Sequence, residues 1–499
     1  MKKYLVILGA ALLVMAVASP SMAQFKSWGH MEIATMWINQ QDFNLGFYNA
    51  DGTAKAPGHD ENRKWITERF RYYLQYGDPK TARAVIGFEA DAGNWGEDRR
   101  GRQTETFELA ASGRMGVYGT DQVQSEIKWA FIEFVVPQTP VTVTAGLQYF
   151  GWGGRLWQSK DAPGLMVTAN FAPHAIQAFW WRERDNAFET YNVNDTYGLA
   201  WKMTKQLFDV GAFAAYKNDL YTGFNPTVGI TSTTGVGPAA GAVYTPSTPG
   251  ATASTYAPVF TLTPVSSAAQ YADHPWWVGV GGGFRPGNWV FSGNFIYNGG
   301  TRDYVNAADV DFQGYIIDAS AKYKIGPGMA AMVEGYYASG NDANSSDKFK
   351  QYTYPTASEA VWAMGNDRSI FFFYNGDFMY TAGKQLYASG LWYGRLNFEY
   401  NPVPWVNLNF NALYIGDTSE GTPGPGKVVN MISGPTTARQ DKDEDYVGTE
   451  LNVIAKIKIY ESLYYNVGFA YFLAGDVYDA KNKSADDAYS LLTCLRYFF

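Results

Sequence analysis

A single cysteine stands in 499 residues, so Cys494 has no disulfide partner in its own chain. A disulfide-stapled secreted fold is excluded, as is a cysteine zinc site. Histidine is nearly as scarce: His30, His59, His174 and His274 show no paired ligand spacing. Charged residues make up only 17% of the chain, where soluble domains carry about a quarter. After residue 24 no run of about twenty apolar residues occurs, which excludes transmembrane helices. The formal charge of −8 argues against nucleic acid as a partner, the more so once a leader holding Lys2 and Lys3 is removed.

What fills the composition instead is 36 Tyr, 31 Phe, 16 Trp and 52 Gly. Aromatic girdles at two membrane interfaces, with glycine at crowded barrel positions, account for that excess. The chain opens "MKKYLVILGAALLVMAVASPSMAQ". Lys2 and Lys3, an apolar run to about Ala18, and Ser21-Met22-Ala23 read as a secretory signal peptide over 1–23, leaving 24–499 as one domain. An uncleaved anchor is the alternative, but the apolar run is short for a span.

The other end reads "AYSLLTCLRYFF". At a period of two, Tyr489, Leu491, Thr493, Leu495, Tyr497 and Phe499 share an apolar face. An unpaired apolar strand would be an aggregation hazard, so this one must be paired to its last residue. Closing the sheet into a barrel with its greasy face in lipid meets that need. Turn formers recur at 77–80, 137–140, 172–174, 204–206, 285–288, 326–328, 401–404 and 461–463, alternating with nine longer polar connections. The spacing predicts an all-β, transmembrane antiparallel barrel of about 18 strands, with 16 as the fallback. Short periplasmic turns and long extracellular loops would join them, with both termini on the periplasmic side.

Most strands alternate cleanly. Trp392, Gly394, Leu396, Phe398 and Tyr400 oppose Tyr393, Arg395, Asn397 and Glu399, and Asn407, Asn409 and Asn411 form an amide column. Two strands do not. "EIKWAFIEFVVP" places Ile127, Trp129 and Phe131 with Glu133, and "AIQAFWWRER" carries aromatics on both faces. A bulge or a subunit interface would reconcile either.

With the leader, the alternating strands, Leu495, Tyr497 and Phe499 at the end, and "KWAFIEFVVPQTPVTVTAGLQYFGWGG", the chain resembles the homotrimeric outer-membrane porin family. "NDRSIFFFYNGDFMY" and "DKDEDYVGTELNVIAKIKIY" are also similar to alginate-export barrels of 18 strands. The resemblance implies a bacterial outer-membrane location among lipid and lipopolysaccharide. It also implies a homotrimer, passive passage of small hydrophilic solutes and ions, and a terminal strand read by the barrel-assembly machinery. It further implies that the connection after the fifth strand, 151–164, folds inward, offering Trp152, Arg155, Trp157, Lys160 and Asp161. This connection lacks the acidic Pro-Glu-Phe-Gly-Gly run of general porins, and an ordinary surface loop is the alternative.

Parity sends Arg69 and Arg71 into the lumen with Thr67, Tyr73 and Gln75, together with Arg83, Arg395 and Arg496. Glu89, Asp91, Asp318, Glu334, Glu399 and Glu450 face the same space. The slight basic excess predicts a weak anion preference, because fixed rings of charge bias which ions pass. A selective channel for an anionic saccharide is the alternative, with Trp152, Trp157 and Tyr393 as stacking rings. A structural or adhesive barrel plugged by its loops is another. Residues 220–272 hold no charged side chain, which suits an irregular outer loop or a lid. No cofactor is expected; 340–349 and 441–446 carry oxygen-rich clusters that Ca²⁺ favours but lack a dedicated loop spacing. No histidine sits beside a serine or acid at membrane height, so no enzyme is expected.

Overall fold

The computed structural model describes residues 25–39, 63–94, 125–152, 156–185, 193–221, 271–304, 307–341, 347–355, 368–371, 377–378, 389–420, 444–479 and 484–499. Residues 1–24, which include the expected leader, lie outside them, as do 222–270 and half of each oxygen-rich cluster.

Extended, alternating segments form twenty strands. In chain order these begin β1 (Lys26–Ile38), β2 (Arg63–Asp78), β3 (Ala82–Asn94), β4 (Ser125–Val135), β5 (Val141–Trp152), β6 (Gln158–Phe171) and β7 (His174–Asp185). There follow β8 (Val193–Thr204), β9 (Phe208–Tyr221), β10 (Tyr271–Phe284), β11 (Trp289–Tyr304), β12 (Val310–Phe312), β13 (Gly314–Gly326) and β14 (Met329–Ala338). The last are β15 (Lys348–Phe349), β16 (Leu391–Val403), β17 (Val406–Asp417), β18 (Tyr446–Tyr460), β19 (Leu463–Ala474) and β20 (Ala488–Phe498). The short β12 and β15 pair with each other in parallel, beside the outer end of β11. The other 18 form one antiparallel sheet in sequence order, which closes when β20 pairs with β1 from His30↔Phe498 to Ile38↔Ser490.

Closure reaches the final residue. Gly29 N donates to Phe499 O at 2.9 Å and Phe499 N to Gly29 O at 3.1 Å. With β20 paired to β1 the sheet has no free edge strand, which is what a wall facing lipid requires. The outward face is greasy. On β16, Leu396 is 62% exposed while Arg395 behind it is 6% exposed. Trp392 and Tyr400 bracket that face eight residues apart, about 26 Å along the strand and roughly 20 Å of height at the usual tilt. That approaches the apolar band of roughly 25 Å that a barrel presents to lipid, with aromatics at its borders.

All eight expected turns join strands at one end. Four of them carry a positive φ at the reversal, at Gly77 (φ 101°), Gln138 (φ 64°), Gly287 (φ 59°) and Gly328 (φ 75°). The nine other connections gather at the opposite end, but one is much shorter than expected. β5 runs to Trp152 and β6 starts at Gln158, so Lys160 and Asp161 are wall residues and not loop residues.

Both irregular strands resolve. Between Gly87↔Trp129 and Phe88↔Ile127 the β3–β4 register shifts, leaving Lys128 as an extra residue. Ile127 therefore faces lipid, while Trp129 stacks on the buried Tyr73 and the expected outward face of Trp129 and Phe131 is reversed. Glu133 thus points inward toward Arg83 without conflict. β7 keeps its parity through Arg182: Phe179 and Trp181 are buried inside and Trp180 lies outside, so lumenal packing explains its second aromatic face.

Candidate functional site

Strand alternation assembles one lumenal belt of charge. Glu89, 1% exposed at its side chain, receives Arg71 at 2.5 Å, Lys128 at 2.6 Å and Arg69 at 3.3 Å. Lys128 also meets Asp161 at 3.0 Å, and Trp129 Nε1 donates to the same carboxylate at 2.7 Å. On the other side Arg69 approaches Glu32 at 3.7 Å, and Glu32 pairs with Arg496. Arg496 lies 3.7 Å from Asp377, which Lys456 contacts at 2.8 Å. The belt thus runs from β6 through β4, β3, β2, β1 and β20 to β18. A carboxylate this buried requires several cations around it, and Glu89 has three.

The belt is uneven in exposure. Arg71 is 23% exposed over Glu89 at 1%, and Lys456 is 27% exposed over Asp377 at 10%. Arg71, Lys128, Arg496 and Lys456 thus keep more accessible surface than Glu89, Glu32 and Asp377, while Arg69 is as buried as these acids and Asp161 is the accessible carboxylate.

Beyond the belt the wall is an acid and amide network. Glu334 accepts Arg395 at 2.7 Å, Arg368 at 2.8 Å and Tyr393 Oη at 2.8 Å. Asn411 accepts from Arg395 Nε at 3.0 Å and donates to Asn452 at 2.8 Å, which donates to Glu450 at 2.8 Å. Glu450 also accepts Ser369 Oγ at 2.5 Å and the Ile370 amide at 2.7 Å. Arg368, Ser369 and Ile370 come from the long connection between β14 and β16, so that connection enters the barrel. Gly468 makes room for it: a Cβ there would meet Phe378 at 2.7 Å and Ile370 at 2.8 Å. Across the lumen, Pro355 O accepts from Lys217 at 2.6 Å and Thr353 O from Trp277 Nε1 at 2.7 Å. The same connection therefore grips β9 and β10 with one arm and β18 and β19 with the other.

A third region is aromatic. Trp157 lies against Phe213 (4.8 Å between ring centroids), Trp181 (5.7 Å), Phe179 (5.8 Å) and Trp277 (6.2 Å), and is 1% exposed. The connection after β5 does turn inward, through Leu156 and Trp157, but serves as a cover for apolar wall residues. Trp157 and Tyr393 are both sealed from solvent, which removes a continuous sugar slide through these rings. Trp152 keeps an accessible surface.

The residues expected in the lumen fall into three sets. Arg69, Arg71, Glu89 and Arg496 join in the belt, with Asp161 from the supposed loop. Arg83 pairs with Glu133 at 2.7 Å, and Glu399 with Lys322 at 2.6 Å. Glu334, Arg395 and Glu450 join the network, and Asp318 receives Asn294 at 3.3 Å. Lys160 meets Glu183 at 3.5 Å, away from the belt. Arg155 and the Asp91 side chain lie outside the described residues. Leu495, Tyr497 and Phe499 face outward, 39–49% exposed.

Lys128, Glu32, Arg368 and Asp377 were not foreseen. A bulge hid Lys128, and the apolar run in "SIFFFYNGDF" was the signal that an apparent outer loop must be buried. Cavities open beside these groups among the described residues. One of about 590 Å³ lies at the turn end, between Asp377, Lys456, Lys458, Arg496, Tyr464 and Asn407. The second, about 360 Å³, lies beside Trp152.

No family model matches the sequence, and no curated protein matches it. Among solved structures, the chain is similar to Pseudomonas aeruginosa OccD3 (OpdP) at 9% identity and TM-score 0.48, over 96% of this chain and 92% of that one. It is similar to Pseudomonas aeruginosa OpdL at 10% identity and TM-score 0.47, over 95% and 99%. It is also similar to the trimer form of OmpT, an outer membrane protein of Vibrio cholerae, at 9% identity and TM-score 0.39, over 96% and 100%.

Proposed function

We propose that the protein is a water-filled channel of the bacterial outer membrane, passing small hydrophilic solutes by passive diffusion with a preference for anions. The observation that carries this reading is the accessibility of the belt's cations: Arg71, Lys128, Arg496 and Lys456 keep 15–27% of their side-chain surface, while Glu89, Glu32 and Asp377 keep 1–10%. Arginine stays charged at any relevant pH and lies flat against a wall, so a passing solute meets positive charge first. The acidic balance of the whole chain does not oppose this, because selectivity follows the charge at the narrow lumen.

The leader fits export and cleavage, and the aromatic-bordered apolar face fits a place among lipid and lipopolysaccharide. The outward terminal aromatics fit recognition by the assembly machinery, and the family resemblance fits association of three copies. A resident cofactor and an enzymatic role form no part of the reading. The inward connection favours a second version in which passage is selective, since a lumen crossed by chain discriminates by shape as well as charge.

Refolded protein in a planar bilayer under a salt gradient tests the proposal. The expected result is steady ohmic conductance with a reversal potential of anion-preferring sign. Replacing both Arg69 and Arg71 by Met is expected to move that potential toward cation preference. Conductance with an unmoved potential would remove these arginines from the permeation path, and a silent folded barrel would overturn the channel.

A further inference from the structure

The wall beside Trp152 has lost its side chains at several inward positions. Gly211 on β9 and Gly281 and Gly283 on β10 all sit on the lumenal parity, as the buried Phe213 and Trp277 do. Glycine weakens a strand interior, and its usual reason there is that another group must approach the backbone closely. The cavity of about 360 Å³ over this floor is lined by Trp152, Lys202, Asp209 and Asn294 as well as glycines. Its size falls within the range of small-molecule sites, roughly 300–1,000 Å³.

The lining is chemically specific. The Trp152 ring reaches over the floor, with its Cζ2 3.5 Å from where a Gly211 Cβ would stand, and its ring centroid lies 4.2 Å from that of Phe213. Phe213 braces the indole from the wall side. Around it stand an acceptor, Asp209, neutralised by Arg285 at 2.5 Å, and an amide, Asn294, which donates to Asp318 at 3.3 Å and holds its own Oδ1 over Gly281. Lys202 supplies donors and has no carboxylate partner among the described residues. One flat ring beside a bare backbone floor, rimmed by both donors and acceptors, matches a ligand with an apolar face and hydroxyls at its edge. A hydroxyl gives and takes a hydrogen bond at once, which suits a rim that holds both donors and acceptors.

We propose that this cavity is a saccharide-binding subsite of the lumen, in which one pyranose ring stacks on Trp152 over the glycine floor. Asp209, Asn294 and Lys202 take its hydroxyls. The proposal deepens the channel reading by naming a substrate class, and replaces a continuous aromatic slide by one resting place.

Saturation-transfer NMR on the folded full chain in detergent micelles, with glucose, maltose and benzoate as probes, tests it independently of conduction. Glucose and maltose are expected to receive saturation. Trp152→Ala is expected to weaken their binding about tenfold. Gly281→Ala serves as a second variant, because a Cβ there lies 2.1 Å from Asn294 Oδ1, the end of a rotatable side chain that would swing into the cavity. It is expected to abolish binding, while the Gly293 carbonyl, 3.1 Å from that Cβ, gives by a few tenths of an ångström and the barrel stays folded. Equal saccharide binding by wild type and both variants would overturn the site, as would no binding of either sugar. Benzoate binding without glucose binding would also overturn it, by showing a site for aromatic acids. A barrel that conducts but binds no sugar would leave the channel standing and the subsite refuted; one that binds sugar but stays silent in bilayers would do the reverse.

Discussion

The two sides of the lumen are built on opposite physical terms. From β1 to β4 and across β20 the wall is dressed with ion pairs between neighbouring strands, each held by a few ångströms of side chain. Such a surface can face water as it stands. From β5 to β10 the inner face carries Phe150, Phe179, Trp181, Phe213 and Trp277, which water would not tolerate open, and a covering residue had to come from a connection. The difference teaches that an inward-turning loop need not be a constriction in the electrostatic sense. Trp157 arrives as a cover, and most of the lumenal charge comes from the strands.

Removing the cover should therefore have the largest effect. Trp157→Ala deletes a ring in contact with four others, and a buried Trp→Ala change costs about 3–5 kcal/mol. Equilibrium unfolding in denaturant should read that loss, while the reversal potential stays where the belt sets it. A shifted potential with little loss of stability would break the comparison, because Trp157 would then border the ion path.

The long connection between β14 and β16 sharpens the contrast, for it touches both sides. On one it offers backbone carbonyls at Thr353 and Pro355 to Trp277 and Lys217; on the other it presents donors to Glu450. Glu450→Ala leaves the Ser369 hydroxyl and the Ile370 amide without their buried acceptor, at a cost of about 1–3 kcal/mol for each group that stays unpaired. The arm over β18 should loosen, so that these donors reach water and most of that cost is avoided; single-channel conductance should rise, with smaller loss of stability than Trp157→Ala. Unchanged conductance would mean that this arm lies beside the path and does not narrow it.

Legibility followed the same division. Period-two patterning made the 18 strands, the eight turns and the inward parity of Arg69, Arg71, Arg395 and Glu450 readable, because a closed wall admits only two directions for a side chain. Partners were less readable than directions. Lys128 was lost to a one-residue register shift, which inverts every later position on the strand. Glu32 shows its importance only when β20 closes against β1, a pairing of the last strand with the first. Arg368 and Asp377 reach the wall from a connection whose apolar run signals burial but not which strands it meets. The family resemblance pointed to the connection after β5, while most of the chain that crosses the lumen comes from the one after β14.

The smallest effect is expected at the seam that joins the two ends. Deleting Phe499 removes its two backbone hydrogen bonds to Gly29 and its stacking with Phe70 and Tyr72, whose centroids each lie 6.1 Å away. Pairing from His30↔Phe498 onward remains, so the folded barrel should lose only about 1–2 kcal/mol by denaturant unfolding. Its conductance should not change, since the ring faces lipid. The yield of folded barrel in the outer membrane offers a separate reading. If yield falls in proportion to stability, Phe499 is only the last rung of the ladder. If yield collapses while refolded protein is nearly as stable as wild type, the terminal ring is needed before closure, by whatever receives the strand, and its chemistry serves assembly more than the finished wall.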